Sequence, residues 1–270
     1  MRRIVINKQP KKPLPSGSHW EHVGAWYDDL VGRDGGDHHQ KLIIPGVLRL
    51  LGLQPGDRLL DVACGQGVLG RAAAKMGIQT IGVDMAESLV AAAMERREDT
   101  VLENYYHGDA RNLTACAAVA AGGFAAAACI LAIANLTPLS PVWQGIYTAL
   151  KPGGKIVVVL LHPCFRIPRR SAWQWDQEKQ IQHRVVDTYL TSEKIPIAMH
   201  PGSDPSATTT TFHRPLQAYI NTMGSAGLCI DHIEEWISGK IPPQGARFTA
   251  LDKSRREIPL FLALRAVKAL

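Results

Sequence analysis

Residues 59–70 read Leu59-Leu60-Asp61-Val62-Ala63-Cys64-Gly65-Gln66-Gly67-Val68-Leu69-Gly70. An apolar run breaks into glycines, and a helical pattern starts directly afterwards. Glycine lets a backbone approach a ligand closely, and the free N–H groups of a helix start point toward it. A strand, a glycine turn and a helix in that order make a pocket for a nucleotide. Gly65-x-Gly67-x-x-Gly70 meets the dinucleotide pattern as written. Asp61 speaks for a different ligand, and the chain downstream supports it.

Outward from this turn, apolar runs alternate with helical patterns. Gln54-Pro55-Gly56-Asp57 is a turn that opens the core. Strands are expected over 58–63, 79–83, 101–107, 124–130 and 155–161, with helices over 68–76, 86–97, roughly 113–121 and 141–150. This alternation implies an α/β fold, a parallel sheet with helices on both faces. The strands lack polar alternation, as suits central strands buried on both sides. After Leu161 the pattern lapses. Residues 162–212 carry Pro, Trp, Arg and the run Thr208–Thr211, and read as an insertion over the carboxyl end of the sheet. A helix over 215–226 and a strand over 228–236 follow, then a long polar loop over 238–256 and a last strand over 258–265.

Upstream, residues 1–17 read as a flexible basic tail and 18–52 as a helical lid. Ser18 is placed to cap a helix with Glu21 in the capping-box position. Trp20, Val23 and Tyr27 share a face of it. A glycine-rich connection over 32–40 leads to a second helix, 43–51, closed by Gly52. Residues 53–270 are then the main domain, with the inserted cover at about 162–212.

Composition narrows the classes. With 46% hydrophobic and 20% charged residues among 270, the chain can bury a full core. It has no apolar run long enough for a membrane span, and the stretch 124–136 is too short. The N-terminus has no apolar segment after its basic residues, so no secretory signal is expected. Five scattered cysteines without a CxxC pair argue against a zinc site or a disulfide framework and fit a reducing cytoplasm. The net charge of +6 is concentrated in the tail, where Arg2, Arg3, Lys8, Lys11 and Lys12 stand without an acid. The body is nearly neutral, so nucleic acid is not the expected partner.

Ligands of such sheets bind outside the carboxyl ends of the strands. Three acids stand at three successive ends: Asp61, Asp84 and Asp109. Asp84 is placed for ribose hydroxyls. Asp109 can accept from an exocyclic amine while the Ala110 N–H donates to a ring nitrogen. Asp61 would repel a pyrophosphate but favours a cation. A cofactor with an amine and a sulfonium and no phosphate fits all three, and S-adenosylmethionine is that cofactor.

At this point the chain resembles the class I S-adenosylmethionine-dependent methyltransferases. Residues 59–67 resemble the family's first motif, with Ala63 replacing its first glycine. Val83-Asp84-Met85-Ala86 resembles the acidic second motif, Gly108-Asp109-Ala110 the adenine motif, and Leu150-Lys151-Pro152-Gly153-Gly154 the turn before the fifth strand. Tyr27-Asp28-x-x-Val31-Gly32 and His162-Pro163-Cys164-Phe165-Arg166-Ile167-Pro168 resemble a bacterial subgroup of small-molecule type. The resemblance implies a Rossmann-like seven-stranded sheet of order 3-2-1-4-5-7-6, the last strand antiparallel. It also implies cofactor contacts at Tyr27, Asp61, Ala63, Gly65, Gly67, Asp84, Met85, Asp109, Ala110, Cys129 and Ile130. Gly70 then reads as a helix-packing residue. Ala125 stands where the family often has a structural aspartate.

For the acceptor, His162 after the fifth strand is the candidate general base, or else it orders the His162-Pro163 turn. His39, Arg166, Trp173, Trp175 and His200 are candidate acceptor contacts, the arginine and tryptophans suiting an aromatic or anionic molecule. No carboxylate or cysteine joins His38 and His39 at ligand spacing, so no metal site is expected. The first reading is methyl transfer to O, N or possibly C of a small molecule. An RNA methyltransferase is the alternative, supported by the tail and by Arg247, Lys253, Arg255 and Arg256, though no RNA-binding module stands out. A non-catalytic cofactor-binding protein and a nicotinamide oxidoreductase are the remaining readings. Asp61 and Asp109 stand against the last.

Overall fold

The computed structural model describes Trp20, Gly24, Asp28 and residues 31–200 and 204–269, without the side chains of 199, 200 and 204–207. The expected tail, Tyr27 and most of the expected first helix lie outside the described residues. The strands are β1 (Arg58–Val62), β2 (Gln79–Asp84), β3 (Glu103–His107), β4 (Phe124–Ile130), β5 (Leu150–Leu161), β6 (Ser171–Asp176), β7 (Ile181–Val186), β8 (Glu193–His200), β9 (Asp204–His213), β10 (Leu228–Trp236) and β11 (Phe261–Lys268).

Seven of them form one sheet in the order β10-β11-β5-β4-β1-β2-β3. Strands β1 to β5 run parallel, and β11 pairs antiparallel with both β5 and β10. Counted within this sheet, the order is 3-2-1-4-5-7-6, as the family resemblance implies. The all-parallel dinucleotide sheet has no antiparallel strand between its fifth and sixth. Among the described residues no helix is long and apolar enough to cross a membrane.

Side chains alternate between the two faces of a strand, and this alternation sorts the core. Leu60, Val62, Ala127, Cys129, Ile156 and Val158 pack on one face under helix α5 (Ser140–Ala149) and helix α6 (Leu216–Ser225). Leu59, Ala126, Ala128, Val157 and Val159 pack on the other under α1 (Ile44–Leu51) and α2 (Val68–Ala74). Asp61 shares the face of Leu59, so its carboxylate points under α1 and α2. Helix α1 follows one wide turn, His39–Ile43, and ends at Gly52 in the left-handed region, whose N–H donates to the Leu48 carbonyl.

The glycines beside the turn make room for one ring. A Cβ on Gly70 would lie 2.3 Å from the Tyr105 hydroxyl oxygen, one on Gly67 2.7 Å from it, and one on Gly82 2.5 Å from the ring. Tyr105 stands on β3, is 4% exposed, and donates its hydroxyl to Glu103 Oε2 at 2.7 Å. Glu103 in turn accepts the N–H groups of Glu98 and Asp99, just beyond helix α3 (Glu87–Arg96). Gly70 therefore packs a helix on a strand.

Elsewhere the structure fills in one expectation and corrects two. Residues 162–212 hold two β-hairpins, β6–β7 and β8–β9. Their pairing is between distant cross-strand partners, which composition does not reveal. Strand β9 lies against the loop after β4, where Thr211 Oγ1 donates to the Ala134 carbonyl at 3.5 Å. The expected loop over 238–256 ends in a helix, α7 (Phe248–Glu257), whose one buried residue is Ser254. A helix that packs through a serine leaves no apolar stripe to read. The expected alanine-rich helix at 113–121 is a tight turn, Ala110–Ala115, and a four-residue helix, α4 (Ala117–Ala120).

Two stability predictions follow from the turn. Gly70→Ala forces a methyl against the Tyr105 hydroxyl and lowers stability by roughly 1–3 kcal/mol. Tyr105→Phe in that background recovers part of the loss, so the urea-unfolding energies of the pair are non-additive; simple additivity refutes the contact. Ala63 sits at φ +57°, a left-handed conformation for a residue with a Cβ. Ala63→Gly relieves that strain at the expense of a more flexible unfolded chain, for a net gain of about 0.5–1 kcal/mol. A lower melting temperature for this variant rules out strain at position 63.

Candidate functional site

The turn after β1 runs through the left-handed region at Ala63, Gly65 and Gly67. It folds over a small cavity lined by residues that include Asp61, Ala63, Gly65, Ile130 and His39. Five candidates from three separate stretches of sequence thus meet in one place. Asp61 is 2% exposed. Burial, and then the neighbouring Asp84 charge, raise its pKa to about 7. Burial and the charge of His38 hold His39 below the usual histidine range.

Asp84, at the end of β2, braces the turn from the side. Its Oδ2 accepts the Gly65 N–H at 2.8 Å and its Oδ1 the Ala86 N–H at 2.9 Å, ahead of α3. Gly65 therefore spends its N–H on the protein and offers the cavity its lack of a side chain. Gly67 faces Tyr105. Beyond it, the Met85 carbonyl bonds His107 Nε2 at 3.1 Å. Asp109 is held on both oxygens by the Arg111 guanidinium, at 2.6 to 2.9 Å. Burial pushes the Asp109 carboxyl up, and the bonds to Arg111 outweigh that and hold it low. Ala110 is 5% exposed and Cys129 fully enclosed, both in the α5 core. The side chain of Cys129 faces away from the cavity.

The site also contains residues that the sequence did not single out. Gln66, 2% exposed, donates to the Gly32 carbonyl at 2.9 Å and accepts from Arg96. Arg96 also binds Asp28, and the buried Arg71 reaches the carbonyls of Gln66 and Arg33. Together they fasten the segment around 28–33 to the glycine turn. A buried arginine needs partners, so Arg71 inside an otherwise apolar helix was the available signal.

On the far rim, His162 follows β5 and is 2% exposed. Its Nδ1 accepts the Cys164 N–H at 3.2 Å, so Nε2 carries the proton and donates to Glu235 Oε1 at 2.7 Å. Burial lowers its pKa against the pull of Glu235. The ring spends both nitrogens within the protein, which is the geometry of an ordering residue and leaves no free lone pair for a general base. Arg166 and Trp173 meet, with the guanidinium 5.1 Å from the ring centroid. Trp175 instead stacks with Arg247 at 4.5 Å. The side chain of His200 lies outside the described residues.

Comparison with known proteins agrees with this geometry. Residues 59–154 match a family described as "Methyltransferase domain". A ubiquinone biosynthesis O-methyltransferase of Xanthomonas axonopodis pv. citri is 33% identical over 112 residues, 41% of this chain and 46% of that protein. The match thus spans about half the length of that relative. A demethylmenaquinone methyltransferase of Beutenbergia cavernae is 28% identical over 206 residues, 73% of this chain and 76% of that one. A crystal structure of an S-adenosylmethionine-dependent methyltransferase from Mesorhizobium loti superposes with a TM-score of 0.65 and 26% identity, covering 87% of this chain and 100% of that one. Residues 59–154 thus match a methyltransferase domain in sequence, and the chain as a whole is similar in fold to an S-adenosylmethionine-dependent methyltransferase.

Proposed function

We propose that the chain transfers the S-methyl group of S-adenosylmethionine to an oxygen, nitrogen or carbon atom of a small-molecule acceptor. The observation that carries this reading is Asp61, a carboxylate buried at the floor of a cavity beneath a glycine turn. A phosphate there would meet a second negative charge in a low-dielectric site, whereas an ammonium would be matched. The donor set therefore fits an amino-acid end and disfavours a pyrophosphate.

In this reading Asp61 holds the amine. Ala63, Gly65 and Ile130 shape the wall, and Tyr27 covers the methionyl end. Asp84, which braces the turn through the Gly65 and Ala86 N–H groups, stands at the end of β2 where the ribose hydroxyls would lie. Asp109 and the Ala110 N–H take the adenine edge, with Met85 against its face and Cys129 acting only through its backbone. Gly67 sets the turn without touching the ligand. S-adenosylmethionine supplies a sulfonium-bound methyl group, and its transfer is an in-line displacement. The chain's own work is to hold the acceptor in line and exclude water. The lid over 18–52 and the cover over 162–212 do this, with His39, Arg166, Trp173, Trp175 and His200 on the acceptor side. His162 is a positioning residue that fixes the rim. The free thiols of the five cysteines support a reducing compartment such as the cytoplasm, and the nearly neutral body supports a small acceptor over a nucleic acid.

Calorimetry with S-adenosylmethionine and with NAD tests the reading directly. Binding of the former alone is expected, and binding of NAD alone overturns it. The carboxyl of Asp61 adds a pH signature. Its folded pKa of about 7 lies above the ordinary carboxyl value of 3.8. Both states are protonated well below pH 3.8. As pH rises toward 7 the unfolded chain ionises first, so the ligand-free protein loses stability through that window. Asp61→Asn should remove this loss, gaining on the order of a few kcal/mol at pH 8, while weakening S-adenosylmethionine at least about tenfold. In the wild type the affinity should fall as pH drops through 7. A variant that keeps full affinity removes Asp61 from the amine.

A further inference from the structure

Three arginines gather around the outer hairpin with no acid to answer them. Trp173 and Trp175 stand two residues apart on β6 and so share a face. Arg184, opposite Trp173 on β7, stacks on its ring at 5.3 Å, and Arg166 stacks on it at 5.1 Å. Arg247, just ahead of α7, covers Trp175. Among the described residues none of the three forms an ion pair with a carboxylate, although Arg170 and Arg256 nearby meet Glu193 and Asp252.

The two central guanidiniums are anchored, with donors to spare. Arg166 donates to the carbonyls of Pro259 at 3.2 Å and Ile258 at 3.4 Å. Arg184 donates to the Phe165 carbonyl and to Ser171 Oγ, both at 2.6 Å. Each guanidinium has five N–H donors, so several remain. Burial, and then the charge of Arg184, bring Arg166 down to about 10, far below an ordinary arginine. Stacking on a π face attracts each cation but does not cancel the repulsion between them. An oxyanion would cancel it and use the free donors.

The cluster lies on the carboxyl side of the sheet. Arg166 grips residues 258–259. Two positions on, the Phe261 ring meets His38 edge-on at 5.4 Å, and the neighbouring His39 lines the cavity of Asp61.

We propose that Arg166, Arg184 and Arg247 form a binding site for an oxyanion, a carboxylate or phosphate group carried by the methyl acceptor. The link to an acceptor rests on the methyltransferase reading, while the anion site itself does not.

The test is calorimetry on the full chain saturated with S-adenosylhomocysteine, titrated with inorganic phosphate, benzoate, phenyl phosphate and the neutral benzamide. Benzoate or phenyl phosphate should bind in the millimolar range, with benzamide at least about tenfold weaker. Arg184→Gln should weaken the anions by about the same factor and leave S-adenosylhomocysteine unchanged. Arg247→Gln is a second variant. Its side chain is placed by a ring contact, so losing it leaves the hairpin's hydrogen bonds in place, and it should weaken the anions as well. Equal binding of benzoate and benzamide, or anion binding that survives both substitutions, overturns the proposal. Phosphate binding without either organic anion assigns the site to a free ion and overturns its link to the acceptor. Failure of S-adenosylhomocysteine to bind strikes the methyltransferase reading instead and leaves the anion result to be judged on its own.

Discussion

The ring of Tyr105 under the glycine turn is the contact on which the site is built. Gly67, Gly70 and Gly82, on two separate elements, all give way to it, and a side chain on any of them would collide. Interiors are packed too densely to absorb such a collision cheaply. The ring therefore sets how far α2 and the turn stand above β2 and β3. Its hydroxyl continues the line to Glu103, and Glu103 to the backbone beyond α3. From the other side Asp84 ties Gly65 to the start of α3. A turn that crosses the left-handed region three times in five residues is thus held from beneath and from the side. The cavity above inherits its shape from that packing.

Within this frame Asp61 is a local conflict that the fold keeps. Its neighbours in register are Gly82 on β2 and Ala128 on β4, the smallest side chains available. They leave space beside the carboxylate but supply no donor. The neighbouring positions of that face on β1, β4 and β5, Leu59, Ala126, Ala128, Val157 and Val159, are apolar, so an apolar residue at 61 would pack better. A sequence that breaks its own pattern at one buried position marks a site where a ligand completes the structure. Ala63 is a second such break, because its Cβ occupies a conformation that suits glycine.

How much of this was legible depended on the kind of signal. The glycine turn, the three acids at strand ends and the apolar strands are local signals, and the sheet order followed from the family resemblance they carry. What was not legible is which partner a side chain takes and which way it points, near in sequence or far. Asp109 read as an acceptor with no sign that Arg111, two residues on, bonds both of its oxygens. Cys129 read as a contact through the family resemblance, and the alternation of β4 turns its side chain into the core. Gln66 looked like a spacer between glycines, yet its amide joins Gly32 to Arg96. The helix α7 was hidden because its buried contact is a serine bonded to Gln182.

The rim follows a different logic from the cofactor cradle, and His162 shows why. Its backbone N–H donates to the Leu260 carbonyl, its Nε2 reaches Glu235 and its Nδ1 orders Cys164. One buried residue thus joins the end of β5, the end of β10 and the approach to β11 through its ring and its backbone, and the β6–β7 hairpin follows that junction in the chain. The cradle is encoded by short motifs because each of its strands ends at the same sheet edge. The rim is assembled from segments 70 to 100 residues apart, and it carries the arginines and tryptophans. Chemistry common to a family can sit in a contiguous motif, whereas the part that chooses an acceptor is free to vary only where such long-range joints hold it. A joint histidine with both nitrogens engaged is suited to that task, because it fixes the rim without changing charge near neutral pH.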